Sequence, residues 1–194
     1  MSAVQLLSIN VGQVRKLRVG ERQLPSAIGK QTVSGAVAVG KLGLSGDTQA
    51  DDSIHGGLSK AVYAYPLEHY PFWQQLRRDH GVSLFDEDLP HGFMGENLTI
   101  AGLLEQEVWA GDELHFPDCV LRVTEARSPC GKFAAVMAFA GAPKAMFEGN
   151  TCGFYLAVDV SGTLQAGQSF TLKPGSRSVS IATSLQAKRY KHVR

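Results

Sequence analysis

Short runs of alternating apolar and polar residues recur along the chain, and residues that favour turns separate them. Residues 2–19 alternate in this way, and residues 33–47, VSGAVAVGKLGLSGD, predict two short strands around glycine and lysine turns. The same pattern continues in NLTIAGL, EVWAGDELHF, CVLRVTEA, CGFYLAVDVSG and SFTLKPG. Many short strands with few helices predict a mainly β (α+β) fold, arranged as a closed barrel or a sandwich.

One segment between these strands has the spacing of an amphipathic helix. In residues 65–81, YPLEHYPFWQQLRRDHG, large apolar side chains recur at every third position from Leu67 to Leu76. Pro71 suits the first turn of a helix and not its interior. We therefore expect the helix to begin near His69 or to be kinked at the proline.

The charge balance limits the partners of the chain. The sequence carries 19 Lys and Arg against 18 Asp and Glu, spread along its length, which gives no basic field for nucleic acid. No stretch approaches the ~20 apolar residues of a membrane span, and the N-terminus lacks the pattern of a secretory signal. Three irregularly spaced cysteines fit neither a disulfide framework nor a structural zinc site. We expect a cytoplasmic protein without nucleic acid or membrane partners.

Most of the chain predicts one domain, residues 1–175, because 44% of the sequence is hydrophobic and can form a substantial core. Residues 176–194 are polar and then basic in KRYKHVR. We expect this last segment to be a solvated tail or the stub of a helix.

The three cysteines differ in their surroundings. Cys119 and Cys152 each share the parity of the apolar residues in their strands, so both are predicted to lie in the core. Cys130 instead follows a proline and precedes a segment that is compatible with a helix, and Arg127 and Lys132 flank it. Nearby positive charge favours a thiolate, which can attack an electrophile or bind a soft metal. A structural cysteine at the end of a strand is the alternative.

Two further motifs carry polar groups in loops. In residues 46–70, His55 precedes Gly56 and Gly57, which free the backbone for a close approach, and Lys60 could meet an anion. In HGFMGENLTI, Asn97 could offer donors and an acceptor to a heterocycle. A hydrogen-bonded structural histidine and an ordinary turn into a strand are the alternatives.

Taken in order, the motifs resemble the MOSC domain, the molybdenum cofactor sulfurase C-terminal domain. They are G-D-x-x-x-D-x-x-x-H-G-G, K-A-V-Y-x-Y, G-E-N-L and R-S-P-C, beginning at Gly46, Lys60, Gly95 and Arg127. The resemblance extends from about Pro25 to the strand that ends near Leu172. It is to the stand-alone bacterial YiiM-like proteins within the family.

The resemblance implies a MOSC-type closed β-barrel with a few inserted helices, which binds the molybdenum cofactor, that is, molybdopterin with molybdenum. It implies that Cys130 is the thiolate ligand of the metal, a role that suits a soft sulfur donor, and that His55 lies near the metal as a proton donor. Cys130 and His55 are therefore the expected catalytic residues. The expected cofactor-binding residues are Gly56, Gly57, Lys60, Asn97, Arg127, Ser128 and Lys132.

The activity implied is reduction of N-hydroxylated compounds, for example hydroxylaminopurines, to amines by a monomer or homodimer. A separate electron-donor redox protein is expected, because the chain has no G-x-G-x-x-G after a strand and no cysteine cluster. A cofactor carrier or sulfur-transfer module, and a Cys–His hydrolase that uses Cys130 and His55, are the alternatives. YiiM-like proteins usually continue into a small three-helix domain, for which residues 176–194 are too short.

Overall fold

The structure, a computed structural model, describes residues 4–49, 56–85 and 87–191. The strands in these ranges are β1 Gln5–Val11, β2 Arg15–Val19, β3 Arg22–Ser26, β4 Gln31–Val33, β5 Ala36–Gly40, β6 Gly43–Leu44, β7 Val62–Pro66, β8 Leu98–Ala101, β9 Glu113–His115, β10 Val120–Ala126, β11 Phe154–Val160, β12 Gly162–Gln165 and β13 Thr171–Lys173. The helices are α1 Tyr70–Asp79, α2 Gly131–Met137, α3 Ala142–Gly149 and α4 Ile181–Lys191. Single 3₁₀ turns occur at Leu58–Lys60, Leu67–His69 and Glu105–Glu107. None of these helices is long and apolar enough to cross a membrane.

The largest sheet has eight strands in the order β13-β9-β10-β11-β7-β8-β1-β4. Its neighbours are antiparallel except for β7 and β8, which run parallel. Ala64 pairs with Phe154 on one side and with Leu98 on the other. This register brings the start of β8 beside β7, and places the end of β10 on the other side, one strand away beyond β11.

Two smaller sheets complete the strand pairing, β12-β5-β6 and the hairpin β2-β3. A single bridge between Gln5 and Ser169 connects β1 to the segment before β13. The ladders of the described ranges do not join into a closed ring, so the mainly β (α+β) class is confirmed and the closed barrel is unconfirmed.

Helix α1 begins where the proline allows it to begin. Pro71 occupies the first turn, and the helix starts at Tyr70, as expected for a start near His69. Trp73 is fully buried, and its indole N–H donates to the Tyr65 hydroxyl at 2.6 Å. Tyr65 and Pro66, the first residues of the segment, belong to strand β7.

The prediction that two cysteines lie in the core is confirmed. Cys119 and Cys152 are both buried. Burial raises the pKa of the Cys119 thiol to about 11 and also raises the pKa of the Cys152 thiol well above its ordinary value. Both side chains therefore act as small apolar groups.

Residues 181–191 form helix α4, which packs on the end of β10. Ile181 and Leu185 are fully buried. The ammonium group of Lys188 donates to Glu125 Oε2 at 2.7 Å and to the carbonyl oxygen of Ala126 at 2.6 Å. Of the two alternatives for this segment the structure has a helix, whereas the domain boundary at residue 175 stays a prediction.

We predict that Leu185→Ala lowers the free energy of unfolding by about 2–5 kcal/mol, because it leaves a cavity between α4 and the sheet. Ala187→Gln, on the exposed side of the same helix, is the matched control and should change this free energy by less than about 0.5 kcal/mol. Urea unfolding followed by circular dichroism measures both values. Equal stability of the two variants would show that α4 does not contribute to the core.

Candidate functional site

One cleft collects most of the residues that the motifs single out. Its walls come from the segment after β3, the loop after β6, strand β7, the turn before β8 and the start of α2. The lining residues are Ser26, Ala27, Ile28, Lys30, Asp47, Thr48, Gln49, Lys60, Tyr63, Gly95, Asn97, Arg127, Cys130, Lys132 and Tyr155.

Five of the nine predicted site residues therefore share this cleft: Lys60, Asn97, Arg127, Cys130 and Lys132. Ser128, Gly56 and Gly57 are described but are not among its lining residues. His55 lies outside the described residues. The sequence could not distinguish Ser128 from Arg127 and Cys130, because the pattern R-S-P-C does not show which side chains face the cleft.

Cys130 stands directly before helix α2 and is partly exposed. Its carbonyl oxygen accepts hydrogen bonds from the N–H groups of Phe133 at 3.0 Å and Ala134 at 3.3 Å. The first turn of the helix thus fixes the main chain that carries the thiol. Buried Phe133 in turn anchors that turn in the core.

Arg127 places a positive charge beside this thiol, although its side chain is only 4% exposed. The guanidinium lies 3.4 Å from Met146 Sδ and faces the rings of Tyr63 at 5.3 Å and Phe133 at 4.9 Å. None of the described carboxylates forms an ion pair with it. A buried cation without such a partner attracts an anion strongly.

The two tyrosines around Arg127 remain neutral phenols. Burial raises the pKa of Tyr63 and of Tyr155, and the positive charge of Arg127 offsets only part of this rise. The Tyr63 hydroxyl donates to the carbonyl oxygen of Cys152 at 2.8 Å. These two side chains therefore supply no negative charge to Arg127.

Lys60 and Lys132 add positive charge to the lining of the cleft. The ammonium group of Lys60 lies 3.7 Å from Glu125 Oε1, and Lys188 binds the other oxygen of the same carboxylate. Burial would raise the pKa of Glu125, but these two lysines hold it below its ordinary value, so the carboxylate is ionised. Lys60 is thus already partly neutralised by Glu125.

A buried ion pair between Lys30 and Asp47 forms another part of the lining. Lys30 Nζ lies 2.6 and 2.8 Å from the two oxygens of Asp47, and the two side chains are 8% and 7% exposed. Burial lowers the pKa of Lys30, and the attraction of Asp47 opposes this effect. Sequence reasoning missed Lys30, because a single lysine between two short strands has no distinguishing pattern.

Asn97 holds this ion pair in place. Its side-chain oxygen accepts from the Tyr63 N–H at 3.1 Å, and its amide nitrogen donates to Asp47 Oδ2 at 2.7 Å and to the Asn10 carbonyl at 3.3 Å. Both amide hydrogens are therefore used within the protein. The predicted contact of Asn97 with a heterocycle stays a prediction, and the structure gives the residue a positioning role.

Two glycines of the motifs serve the local backbone. Gly57 has φ 84°, a value that favours glycine, and its N–H donates to Gln49 Oε1 at 3.0 Å just before the turn that carries Lys60. A Cβ on Gly95 would lie 2.7 Å from Ile28 Cγ1. The space above Gly95 is therefore filled by Ile28.

Known proteins resemble this chain over most of its length. A model of the MOSC domain matches residues 51–171. The chain belongs to the MOSC domain family. Within that family, the uncharacterized protein YflK of Bacillus subtilis is 32% identical over 177 residues, which are 91% of this chain and 76% of that protein.

Two other relatives extend the comparison. A protein of Gibberella moniliformis named reductase is 32% identical over 168 residues, which are 86% of this chain but 29% of that larger protein. The crystal structure of YiiM from Geobacillus stearothermophilus aligns with a TM-score of 0.75 and 30% identity, over 98% of this chain and 86% of that one. The resemblance to YiiM-like MOSC proteins is confirmed.

Across the described ranges of this MOSC domain, no three or more His, Cys, Asp or Glu side chains are grouped to hold a metal ion.

Glu96, the glutamate of the G-E-N-L motif, is fully buried. Glu96 Oε1 accepts from the Gly92 N–H at 2.7 Å, from the Thr99 hydroxyl at 2.8 Å and from the Tyr70 hydroxyl. Its other oxygen, Oε2, has no hydrogen-bond partner among the described residues.

We predict that the unsubstituted protein loses unfolding free energy as the pH rises, because Glu96 ionises, and that Glu96→Gln does not show this loss. Burial raises the pKa of Glu96 above 4.5, so its neutral form favours the folded state below 4.5 and this contribution is lost as the pH rises through the higher folded pKa. Between the two pKa values, the unsubstituted protein should lose about 1.4 kcal/mol of unfolding free energy per pH unit relative to the variant.

Urea unfolding of both proteins over a pH series measures this difference. Glu21→Gln, in the exposed β2-β3 hairpin, is the control and should show the pH dependence of the unsubstituted protein. If the unfolding free energies of Glu96→Gln and the unsubstituted protein changed with pH in parallel, the raised pKa of Glu96 in the folded state would be contradicted.

Proposed function

We propose that this MOSC protein is a molybdenum-cofactor-dependent reductase that converts N-hydroxylated compounds, such as hydroxylaminopurines, to amines, with Cys130 as the thiolate ligand of the metal. Membership of the family supports the cofactor, and the relative named reductase supports the class of reaction. The observation that carries the proposal is the pairing, in one cleft, of a partly exposed thiol with a buried guanidinium that pairs with none of the described carboxylates.

The residues of the cleft fit such a group. Molybdopterin is anionic and presents sulfur and phosphate groups, and Arg127 lacks a carboxylate partner among the described residues. A ligand that brings a negative charge would supply it and would offset the cost of burying the guanidinium. Cys130 would then hold the metal as a soft donor, and Lys132 and Lys60 would add charge for the anionic groups.

The other expected site residues would act indirectly or from outside the described part of the chain. Asn97 would act through the Asp47–Lys30 pair, and the main chain at Gly56 and Gly57 would shape the loop before Lys60. Ser128 does not line the cleft, so it would reach the cofactor only if the turn before Cys130 changed its conformation. His55 stays a proposed proton donor from outside the described residues.

When bound, the reduced cofactor supplies the two electrons that cleavage of an N–O bond consumes. The chain itself binds the substrate, limits the access of water and delivers protons. Tyr63 and Tyr155 would contribute to the lining as buried neutral phenols beside Arg127. A separate redox protein would renew the electrons, and a reducing cytoplasm would keep Cys130 as a thiol.

We predict that Cys130→Ala abolishes retention of molybdenum and reduction of 6-N-hydroxylaminopurine, because the variant lacks the protein's sulfur donor. The free energy of unfolding should change by less than about 1 kcal/mol, since the thiol is partly exposed. Molybdenum is measured by mass spectrometry in protein made in a host that synthesises molybdopterin.

Cys119→Ala is the matched control, because this thiol lies in the core away from the cleft and its loss should leave the molybdenum content unchanged. Full turnover by Cys130→Ala would refute the role of the thiolate. Bound cofactor without any turnover in the unsubstituted protein would instead identify a cofactor carrier, and acylation of Cys130 in molybdenum-free protein would identify a hydrolase.

We predict that Arg127→Met weakens cofactor retention by about 10- to 100-fold, because a charge-assisted contact is worth about 1.5–3 kcal/mol. The same change should not lower the free energy of unfolding of cofactor-free protein by more than about 1 kcal/mol, since none of the described carboxylates loses a partner. Dialysis against chelator followed by molybdenum analysis gives the retention.

Arg122→Met is the control for this variant. Its guanidinium is bound to Asp159 at 2.8 and 3.0 Å and does not line the cleft, so loading should be normal. Equal retention by Arg127→Met and the unsubstituted protein would return Arg127 to a purely structural role.

A further inference from the structure

The cleft contains two buried cations in opposite electrostatic situations. Arg127 is not neutralised by a described carboxylate, whereas Lys30 is bound to both oxygens of Asp47. An unneutralised cation selects an anion, but a neutralised one can donate a hydrogen bond to a neutral oxygen without gaining a second counter-charge. The cleft therefore has one part suited to an anionic cofactor and another suited to a neutral polar ligand.

Resting on the proposed function, we propose that Lys30, oriented by Asp47, binds the hydroxyl oxygen of the N-hydroxylated substrate and donates a proton to it. No pattern of the sequence indicates this role. It follows from the hydrogen bonds of the pair and from its place in the lining of the cleft.

Asp47 is held too firmly to accept a ligand itself. Oδ1 accepts from the Gly12 N–H at 2.7 Å and from Lys30 at 2.6 Å, and Oδ2 accepts from Asn97 at 2.7 Å and from Lys30 at 2.8 Å. Three donor groups thus make four hydrogen bonds to a side chain that is 7% exposed. The carboxylate is therefore a fixed support that sets the direction of the lysine.

Lys30 retains a donor for a ligand. An ammonium group has three N–H bonds, and the acceptors for Lys30 within the described ranges are the two oxygens of Asp47. Its side chain is 8% exposed and lines the cleft. A substrate oxygen that enters the cleft would accept the third N–H bond. Among the described residues, the titratable groups that act on Lys30 are Asp47 and the buried Glu96.

The chemistry balances with one proton from Lys30. The reaction R–NHOH + 2 e⁻ + 2 H⁺ → R–NH₂ + H₂O breaks the N–O bond, and its electron pair comes from the reduced molybdenum cofactor of the proposed function. The proton from Lys30 Nζ goes to the hydroxyl oxygen, which leaves as water. Solvent protonates the amine nitrogen and restores the proton of Lys30. Burial lowers the pKa of Lys30, which makes the ammonium a better acid.

The test compares the binding of 6-N-hydroxylaminopurine and adenine, which differ in the hydroxyl group alone. Calorimetric titration of the full-length protein with oxidised cofactor should show at least tenfold tighter binding of the hydroxylated base. Lys30→Met should remove this preference at an unchanged molybdenum content, and kcat of the reduced enzyme should fall about 100-fold. A preserved preference in Lys30→Met would overturn the assignment.

Lys41→Met is the matched control, because the ammonium group of Lys41 donates to the carbonyl oxygens of Val158 and Asp159 outside the cleft. It should keep both the preference and kcat. Lys30→Met leaves the Asp47 carboxylate buried without its cation, so the single variant could fail to fold. The double variant Lys30→Met/Asp47→Asn removes both charges and must also lose the preference.

Failure of the proposed function gives a different result from failure of this inference. Protein that holds no molybdenum and reduces no substrate refutes the reductase, yet the two affinities can still be measured on that protein and decide whether Lys30 recognises the hydroxyl group. A loaded and active Lys30→Met variant refutes the role of Lys30 and leaves the reductase intact.

Discussion

Asn97 connects three parts of the chain that must meet before the cleft can form. Its main-chain N–H donates to the Tyr63 carbonyl at 2.8 Å, and its own carbonyl accepts from the Asn10 N–H at 2.7 Å. Its side-chain amide reaches Asp47 in the loop after β6. Because the residue is only 5% exposed, water cannot replace these partners without local unfolding, and the contacts form as one unit.

The fold accepts an unfavourable arrangement at the site that this unit supports. A guanidinium buried without an ionic partner among the described carboxylates costs free energy, and the aromatic faces of Tyr63 and Phe133 compensate only in part. Much of the core is apolar and fully buried, including Met137 and Phe154. A local departure from good burial within an otherwise consistent core is typical of a binding site.

The sequence predicted the features that depend on local pattern. The parity of Cys119 and Cys152 predicted their burial, and the proline rule predicted the start of α1 near His69. Helix α3 was missed, because two glycines and a proline interrupt the pattern in residues 141–149. A local pattern also gives no information on how the sheets meet, so it could not decide between a closed and an open arrangement.

The site residues that belong to a recognisable sequence motif could be predicted, whereas contacts between separate segments could not. Cys130 and Arg127 lie in the cleft as expected, but the partner of Asp47 could not be inferred, since Lys30 approaches it from another strand connection. The role of Asn97 was also beyond sequence reasoning. The hydrogen bonds that its amide makes to distant loops depend on the folded positions of those loops, which a local pattern does not give.

Glu125 has a consequence that reaches beyond its own strand. Its two oxygens are divided between Lys60 in the cleft and Lys188 in helix α4, at 3.7 and 2.7 Å. The two lysines therefore compete for one counter-charge. By thermodynamic linkage, a change in the strength of one lysine's contact with Glu125 changes the strength of the other. An anion that draws Lys60 away from Glu125 would tighten the hold on the C-terminal helix, so occupancy of the cleft and anchoring of that helix are coupled through a single carboxylate.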